Sequence, residues 1–257
     1  MTGSKLVSFV QPSPNHSGRR KYPLTRVSVH CYVGQVTVER MGRGFADPKR
    51  GASSTYGVDK TGRIGQFVDE DNRSQCTSSA DNDNRAITIE VASDSKHPYA
   101  VTDAAYRALL DLLVDICKRN GKRRLVWLGD KAKSLAYKPK NDELLMTVHR
   151  WFAAKACPGE YLYSRHGEIA AAVNKRLEEE VDMNKEDVQK MIDQSMDKLR
   201  AELVPKVYRT VEDVPEWGRP TVDKLIKKGK LMGTGDGKIN LSHDLLRALV
   251  IMERDGE

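Results

Sequence analysis

The feature that most constrains the fold is one amphipathic segment, residues 102–121 (TDAAYRALLDLLVDICKRNG), between two strand-like segments. Thr102 is a good N-cap, apolar residues then recur at helical spacing, and Gly121 ends the pattern, so we predict a helix. AITIEVA (86–92) before it and RRLVWL (123–128) after it have the composition of buried strands. Strands that alternate with helices predict an α/β domain.

Flanking segments extend this pattern. Residues 24–33 (LTRVSVHCYV) predict a buried strand, and residues 54–69 predict a hairpin that turns at Lys-Thr-Gly. Between them, residues 42–54 (GRGFADPKRGASS) are glycine-rich, and we predict a long loop there. Residues 164–180 predict another helix. We therefore expect the α/β domain to comprise residues 1–180.

The remainder divides into a linker and a small terminal unit. Residues 181–205 are rich in charge and predict an exposed amphipathic linker helix that ends at a proline. Its apolar stripe consists of Val181, Val188, Ile192, Leu199 and Leu203. In residues 206–257, Asp213 is predicted to cap one helix, with Pro215 in its first turn, and Ser242 is predicted to cap the last. We expect a small, mainly helical C-terminal domain that docks or self-associates, since about 50 residues make a marginal core.

Composition excludes several classes of protein. The 39% hydrophobic and 31% charged residues are typical of a globular protein, and four cysteines are too few for a disulfide scaffold. No apolar run is long enough to insert in a membrane, and the N-terminus has no signal-peptide core, so we expect synthesis in the cytoplasm. The net charge of +7 favours polyanionic partners, such as nucleic acid, anionic lipid or a cell-wall polymer.

One short stretch, TVHRWFAAKACPGEYL (147–162), brings together the residue types of a metal site. A catalytic zinc site uses three protein ligands, commonly imidazole and thiolate, and leaves one position open. His149 and Cys157 can supply two ligands, and His30, near the end of an apolar strand, is the best third candidate. The alternative is that these are ordinary packing residues. His97 and His166 remain candidate outer-shell groups.

Hydrolysis at such a site also needs a general base and charge stabilisation. Glu90 is the one acidic residue of a strongly apolar strand, so it is paired with a cation, directed to solvent, or catalytic. Lys155 can stabilise an oxyanion, or it is a solvated loop lysine.

Four separated motifs together resemble the zinc-dependent N-acetylmuramoyl-L-alanine amidases, the type related to peptidoglycan recognition proteins and common in phage endolysins. They are VSVHCYVG, SSTYGVDKTGRIGQFV, AITIEVAS and TVHRWFAAKACPGEYL, within residues 20–178. The resemblance implies a mainly parallel sheet flanked by helices, with Zn²⁺ in a surface groove held by His30, His149 and Cys157. It also implies that Glu90 is the general base and that Lys155 assists.

The resemblance departs from the family at one position. Members with a catalytic tyrosine place it where this chain has Ser54, and Tyr56 follows two residues later. Tyr56 therefore remains a candidate substrate or outer-shell contact, as does Trp151 in the ligand stretch.

The sequence thus predicts a phage-type endolysin whose zinc-activated water cleaves the amide between N-acetylmuramic acid and L-alanine of peptidoglycan. We expect it to act on the cell wall after holin-type release from the host cytoplasm. Residues 206–257 resemble segments that close other endolysins, which implies wall attachment or self-association. Two alternatives remain, a non-catalytic peptidoglycan-binding protein of the same fold and a basic nucleic-acid-binding protein.

Overall fold

The chain folds into two units, Met1–Met183 and Asn184–Glu257, in the computed structural model. The structure describes residues 1–203 and 205–254, apart from the side chains of residues 180–186, 201 and 203. In the first unit the strands are β1 (Val7–Val10), β2 (His16–Arg19), β3 (Arg26–Val33), β4 (Tyr56–Val58), β5 (Ile64–Gln66), β6 (Asn72–Ser74), β7 (Ala86–Ser93), β8 (Arg124–Val126) and β9 (Glu143–Thr147). The helices that begin there are α1 (Val38–Ala46), α2 (Ala80–Arg85), α3 (Asp103–Arg119), α4 (Lys131–Ala136) and α5 (Gly159–Leu203).

Seven strands form the central sheet, in the order β1-β5-β4-β7-β3-β9-β8, and β2 pairs with β6 separately. All neighbours in the central sheet are parallel except β4 and β5, which form the predicted hairpin. The prediction of an α/β fold with a mainly parallel sheet flanked by helices is therefore confirmed.

The two faces of the sheet differ in polarity. On one face, Val29 of β3 and Ile89 of β7 belong to the main core, which also contains the apolar side of α3 and the first turns of α5. On the other face, Ser28 and Thr147 form a buried hydrogen bond of 2.6 Å between their hydroxyls, and the Asn82 amide donates to Ser28. Side chains alternate along a strand, so His30 and Glu90 also lie on this polar face.

Helix α3 follows the sequence prediction closely. The Thr102 hydroxyl accepts a hydrogen bond from the Ala105 amide, as an N-cap does, and Cys117 is completely buried in the core. Gly121 follows with φ of 63°, a left-handed conformation that glycine adopts at a helix end at little cost.

The predicted loop at residues 42–54 is wrong in its first part, because α1 occupies residues 38–46. Thr37 caps this helix, and its apolar residues Val38, Met41 and Phe45 are buried on one side. The two glycines of α1 suggested a loop, but Gly42 packs where an added Cβ would collide with the side chains of Gln11 and Phe9.

The helix predicted at 164–180 and the linker helix predicted at 181–205 form one element, α5, which the structure assigns from Gly159 to Leu203. Within the stripe, Val188, Ile192 and Leu199 are about half exposed. Val181 and Leu203 lie outside the residues whose side chains are described. Between residues 168 and 204 the sequence offers no glycine or proline that would divide the helix.

The second unit also contains β10 (Val207–Tyr208), α6 (Arg219–Lys227), β11 (Leu241–Ser242) and α7 (His243–Arg254) around a small apolar core. Ser242 caps α7 as predicted, through a bond from the Leu245 amide. The prediction that Asp213 caps α6 is wrong. Its carboxylate accepts hydrogen bonds from the amides of Arg209 and Thr210, in a turn before the helix.

None of the helices in the described parts of the chain combines the length and the apolar composition that crossing a bilayer requires.

Candidate metal centre

His30 enters the site from the rigid centre of the sheet. It lies on β3, paired with Glu90 of β7, and is completely buried. Burial, and then the neighbouring His149, lower the pKa of His30 to about 3. Its imidazole is therefore neutral at physiological pH, which is the form that binds a metal.

His149 and Cys157 come from one loop between β9 and α5. His149 begins a short 3₁₀ turn, and the Arg150 amide donates to the Cys157 carbonyl at 3.2 Å, which closes the loop on itself. Trp151 in the same turn is buried and stacks on Trp127, with ring centroids 5.1 Å apart and planes within 6°. The stacked pair anchors the turn that carries His149.

The three side chains converge. Ligand atoms of His30, His149 and Cys157 all lie within 4.8 Å of one another, and Cys157 Sγ is 3.2 Å from His30 Nδ1. Ser78 Oγ lies 3.0 Å from His149 Nε2, which favours Nδ1 as the atom of His149 that would face a metal. Two imidazoles and one thiol at this spacing fit Zn²⁺ and leave a fourth position open.

The Cys157 thiol is protonated in the metal-free protein. A hydrogen bond with the Cys31 thiol, together with burial, holds the pKa of Cys157 well above its ordinary value. Zinc binds the thiolate, so metal binding at this site would release a proton. Sequence reasoning did not find Cys31, because it sits on a strand with no spacing signal toward Cys157.

Glu90 lies beside the three candidate ligands. Burial raises the pKa of Glu90 to about 8 in the metal-free protein, and a positive charge nearby would stabilise its carboxylate form. Cys76 Sγ donates to Glu90 Oε1 at 3.8 Å, whereas Oε2 is buried without a hydrogen-bond partner in the described structure. A half-buried carboxyl with a raised pKa, next to a metal-binding set, is a suitable general base.

A groove of about 500 Å³ opens beside His149. Lys155, exposed on the loop, lines it together with His149, and it lowers the pKa of His149 as a second cause after burial. The other lining residues are Gly51, Ala52, Arg73, Gln75, Cys76, Ser78, Ser79, Ala80 and Asp83. Most of the lining residues have polar side chains, including the cationic Arg73 and Lys155 and the acidic Asp83, so the groove suits a hydrogen-bonding ligand.

Tyr56 is not in this site. It pairs with Ile89 on β7, so its side chain lies on the apolar face of the sheet, opposite to Glu90. Its hydroxyl donates to Glu70 Oε1 at 2.6 Å and accepts from the Ser4 amide. Tyr56 was a candidate because it follows Ser54 by two residues, and such residues share a face of a strand. The structure directs the Tyr56 side chain into the core instead.

Three further candidates from the sequence also lie outside the groove. Trp151 packs behind His149, as described above, and His97 is exposed in a separate loop. His166 is completely buried in α5, where its Nδ1 lies 2.6 Å from the Leu162 carbonyl and its ring packs on Trp127. None of these three residues lines the groove.

Comparison with protein families identifies the chain. A family model described as N-acetylmuramoyl-L-alanine amidase matches residues 17–160, which is more than half of the sequence. The protein therefore belongs to this amidase family. The matched range contains His30, Glu90, His149 and Cys157.

Several solved structures are similar to this chain. The catalytic domain of XlyA is 16% identical, with 64% of this chain and 97% of that one covered at a TM-score of 0.44. The endolysin LysCS from Clostridium intestinale URNW is 14% identical, with 65% and 97% covered at 0.42. Drosophila peptidoglycan recognition protein SD is 20% identical, with 60% and 85% covered at 0.43. Comparison with curated protein sequences finds no match.

Proposed function

We propose that this protein is a zinc-dependent amidase that hydrolyses the bond between the lactyl group of N-acetylmuramic acid and L-alanine of the stem peptide. The observation that carries the proposal is the convergence of His30, His149 and Cys157 within 4.8 Å, beside Glu90 and an open groove. A binding protein of the same fold needs neither the complete ligand set nor a base next to it.

The residues of the chain divide the work of hydrolysis. His30, His149 and Cys157 would hold a zinc ion, which would supply Lewis-acid chemistry to the attacking water and the scissile carbonyl. Glu90, as carboxylate, accepts the proton of the attacking water and then delivers it to the leaving amine nitrogen of L-alanine. Lys155, at the mouth of the groove, offers an ammonium group to the oxyanion of the tetrahedral intermediate.

We infer a phage-type endolysin as the biological role, made in the host cytoplasm and admitted to the wall by a holin. Four motifs that resemble phage enzymes of this family support it. The positive net charge also suits a polyanionic wall. An endolysin of this kind would lyse cells and act as an antimicrobial when added from outside.

The second unit is proposed to attach the enzyme to the wall or to assemble copies of it. It has its own small core, and Trp217, Leu245 and Ile251 are each about half exposed. Apolar side chains on the surface of so small a unit suit contact with a polymer or with another copy.

The direct test measures new amine groups released from purified peptidoglycan by the zinc-loaded protein. The wild type should release L-alanine amines, and Glu90→Gln should lower the rate about 100-fold while zinc content and melting temperature stay unchanged. Glu168→Gln, at an exposed position of α5, is the matched control and should behave as the wild type. Binding to peptidoglycan without amine release would instead establish the non-catalytic alternative.

A further inference from the structure

Cys76 touches the proposed base, yet the sequence patterns gave it no role. It lies in the connection from β6 to α2, and its backbone is held firmly. The amides of Cys76 and Thr77 both donate to the Asp83 carboxylate, at 3.1 Å each, and the Thr77 hydroxyl donates to the same group at 2.6 Å. The direction of the Cys76 side chain is therefore set by a buried network of hydrogen bonds.

The Cys76 thiol makes the one hydrogen bond to the Glu90 carboxylate found in the described residues. Its Sγ lies 3.8 Å from Oε1, within the range of a sulfur hydrogen bond, while Oε2 has no partner. Ligand atoms of His30, Cys76 and Glu90 lie within 4.8 Å of one another, so this contact fixes Glu90 next to a candidate metal ligand.

The thiol acts here as a proton donor and not as a thiolate. Burial, and then the charge of Glu90, raise the pKa of Cys76 well above its ordinary value. A neutral thiol holds its proton and directs it at Oε1, which leaves Oε2 as the carboxylate oxygen able to accept a proton from water.

We propose that Cys76 is a positioning residue, whose S–H···O hydrogen bond to Oε1 holds the Glu90 carboxylate in the orientation that general-base catalysis requires. The inference rests on the proposed function, because the orientation of Glu90 affects the reaction only if Glu90 is the general base. A carboxylate without this contact would turn among rotamers, and only part of the population would be correctly aimed.

The test compares Cys76→Ala and Cys76→Ser in the full-length, zinc-loaded protein on a soluble muramoyl peptide. Cys76→Ala should lower kcat about five- to tenfold, the scale of one weak hydrogen bond, with KM within twofold and zinc content unchanged. Cys76→Ser keeps a donor and should recover most of kcat. Cys117→Ala removes a cysteine buried in the main core and should leave kcat unchanged.

A double-mutant comparison separates positioning from simple packing. In the Glu90→Gln background, Cys76→Ala should have no further effect on kcat, since the group that it positions is gone. If Cys76→Ala does not fold, Cys76→Val replaces it as the variant that lacks a donor. Cys76→Val should then lose the same five- to tenfold in kcat, with zinc content unchanged.

The outcomes distinguish the two proposals. Full kcat in Cys76→Ala, a Ser variant as slow as the Ala variant, or a loss confined to KM or zinc content would overturn the positioning role. If Glu90→Gln itself remains active, the proposed function of Glu90 fails first. An inactive Glu90→Gln beside a fully active Cys76→Ala would refute only the role of Cys76.

Discussion

His30 and His149 differ in how firmly the protein holds them. His30 is fixed in an interior strand of the sheet, between β7 and β9, whereas His149 belongs to a loop turn supported by the stacked pair of Trp151 and Trp127. The strand can keep its position without metal, and the loop depends more on the ligands that it contributes. Metal affinity should therefore respond strongly to changes in the loop.

The first prediction concerns that affinity. We expect one zinc per chain in the wild type, and we expect His149→Ala to weaken zinc binding by about 100-fold or more, because outer-shell changes alone cost 10–100-fold. Metal analysis after dialysis measures it, with His16→Ala, an exposed histidine of β2, as control. Full occupancy in the His149 variant would remove this residue from the ligand set.

A second prediction concerns acid stability and His166. Burial lowers the pKa of His166 to about 4, below the ordinary value of 6.5. As the pH falls, His166 therefore binds its proton in the unfolded chain at a higher pH than in the folded protein. The free energy of unfolding decreases as the pH falls from 6.5 to 4. The loss should reach about 3 kcal/mol, at about 1.4 kcal/mol per pH unit.

Urea unfolding of metal-free protein at pH 7, 5.5 and 4.5 tests this. His166→Gln should be less sensitive to acid than the wild type, whereas His16→Gln should follow the wild type. Equal acid sensitivity of wild type and His166→Gln would mean that His166 accepts its proton in the folded state without cost.

Single residues also show where sequence reasoning ends. His30, His149 and Cys157 could be proposed because residue type and spacing are visible in the sequence. Cys76 could not, since the β6–α2 connection that carries it to Glu90 has no periodic pattern. Tyr56 was misplaced because the face of a short strand depends on its register with β7, which the sequence does not display.

At the scale of elements, the strongly patterned segments were predicted well. Strands β3 and β7 and helix α3 carry runs of apolar residues and capping signals that leave few alternatives. Helix α2 (ADNDNR) was missed because it has no apolar face, and it is stabilised by the Ser79 cap and by the bonds of Asn82 and Asp83 to its surroundings. The start of α6 was placed too early, since Asp213 is equally suited to a turn.

The apolar stripe of α5 leads to a prediction at this scale. Val188 and Leu199 are eleven residues apart, which is close to three helical turns, so they lie in line with Ile192 between them. All three are about half exposed, as is Met196 beside them, and Met191 is more exposed still. We expect two such helices to pair along the stripe.

Light scattering of the full-length protein tests this pairing. The wild type should be a dimer. Ile192→Lys should shift it to monomer, because a charge would enter the interface between the two helices. Gln194→Lys, an equal change away from the stripe, should remain dimeric. If the wild-type protein is monomeric at high concentration, the stripe does not pair two copies of the chain, and this prediction is wrong.

At the scale of the whole molecule, the division into two units predicts that the first unit carries out the chemistry and that the second serves attachment. The candidate ligands, Glu90 and the groove all lie in Met1–Met183. A protein ending at residue 183 should therefore fold, bind zinc and cleave a soluble muramoyl peptide at the full-length rate. On intact walls it should be roughly tenfold slower or more, since attachment raises local concentration without changing the site.

Parallel assays of the two proteins on soluble and wall substrates decide this. The full-length protein is the control for both, and zinc content is checked in each. If the shorter protein is folded and zinc-loaded but inactive on the soluble substrate, the second unit contributes to the chemistry.

The ligand set joins parts of the chain that are more than a hundred residues apart, His30 in a strand and the His149–Cys157 loop. An ion bound there would act as a removable cross-link, comparable to a disulfide that closes a very long loop. The lifetime of the proposed enzyme would then follow the supply of zinc. In a metal-starved environment the loop would become open to proteases, so the enzyme would be cleared where it is inactive and would persist where it can work.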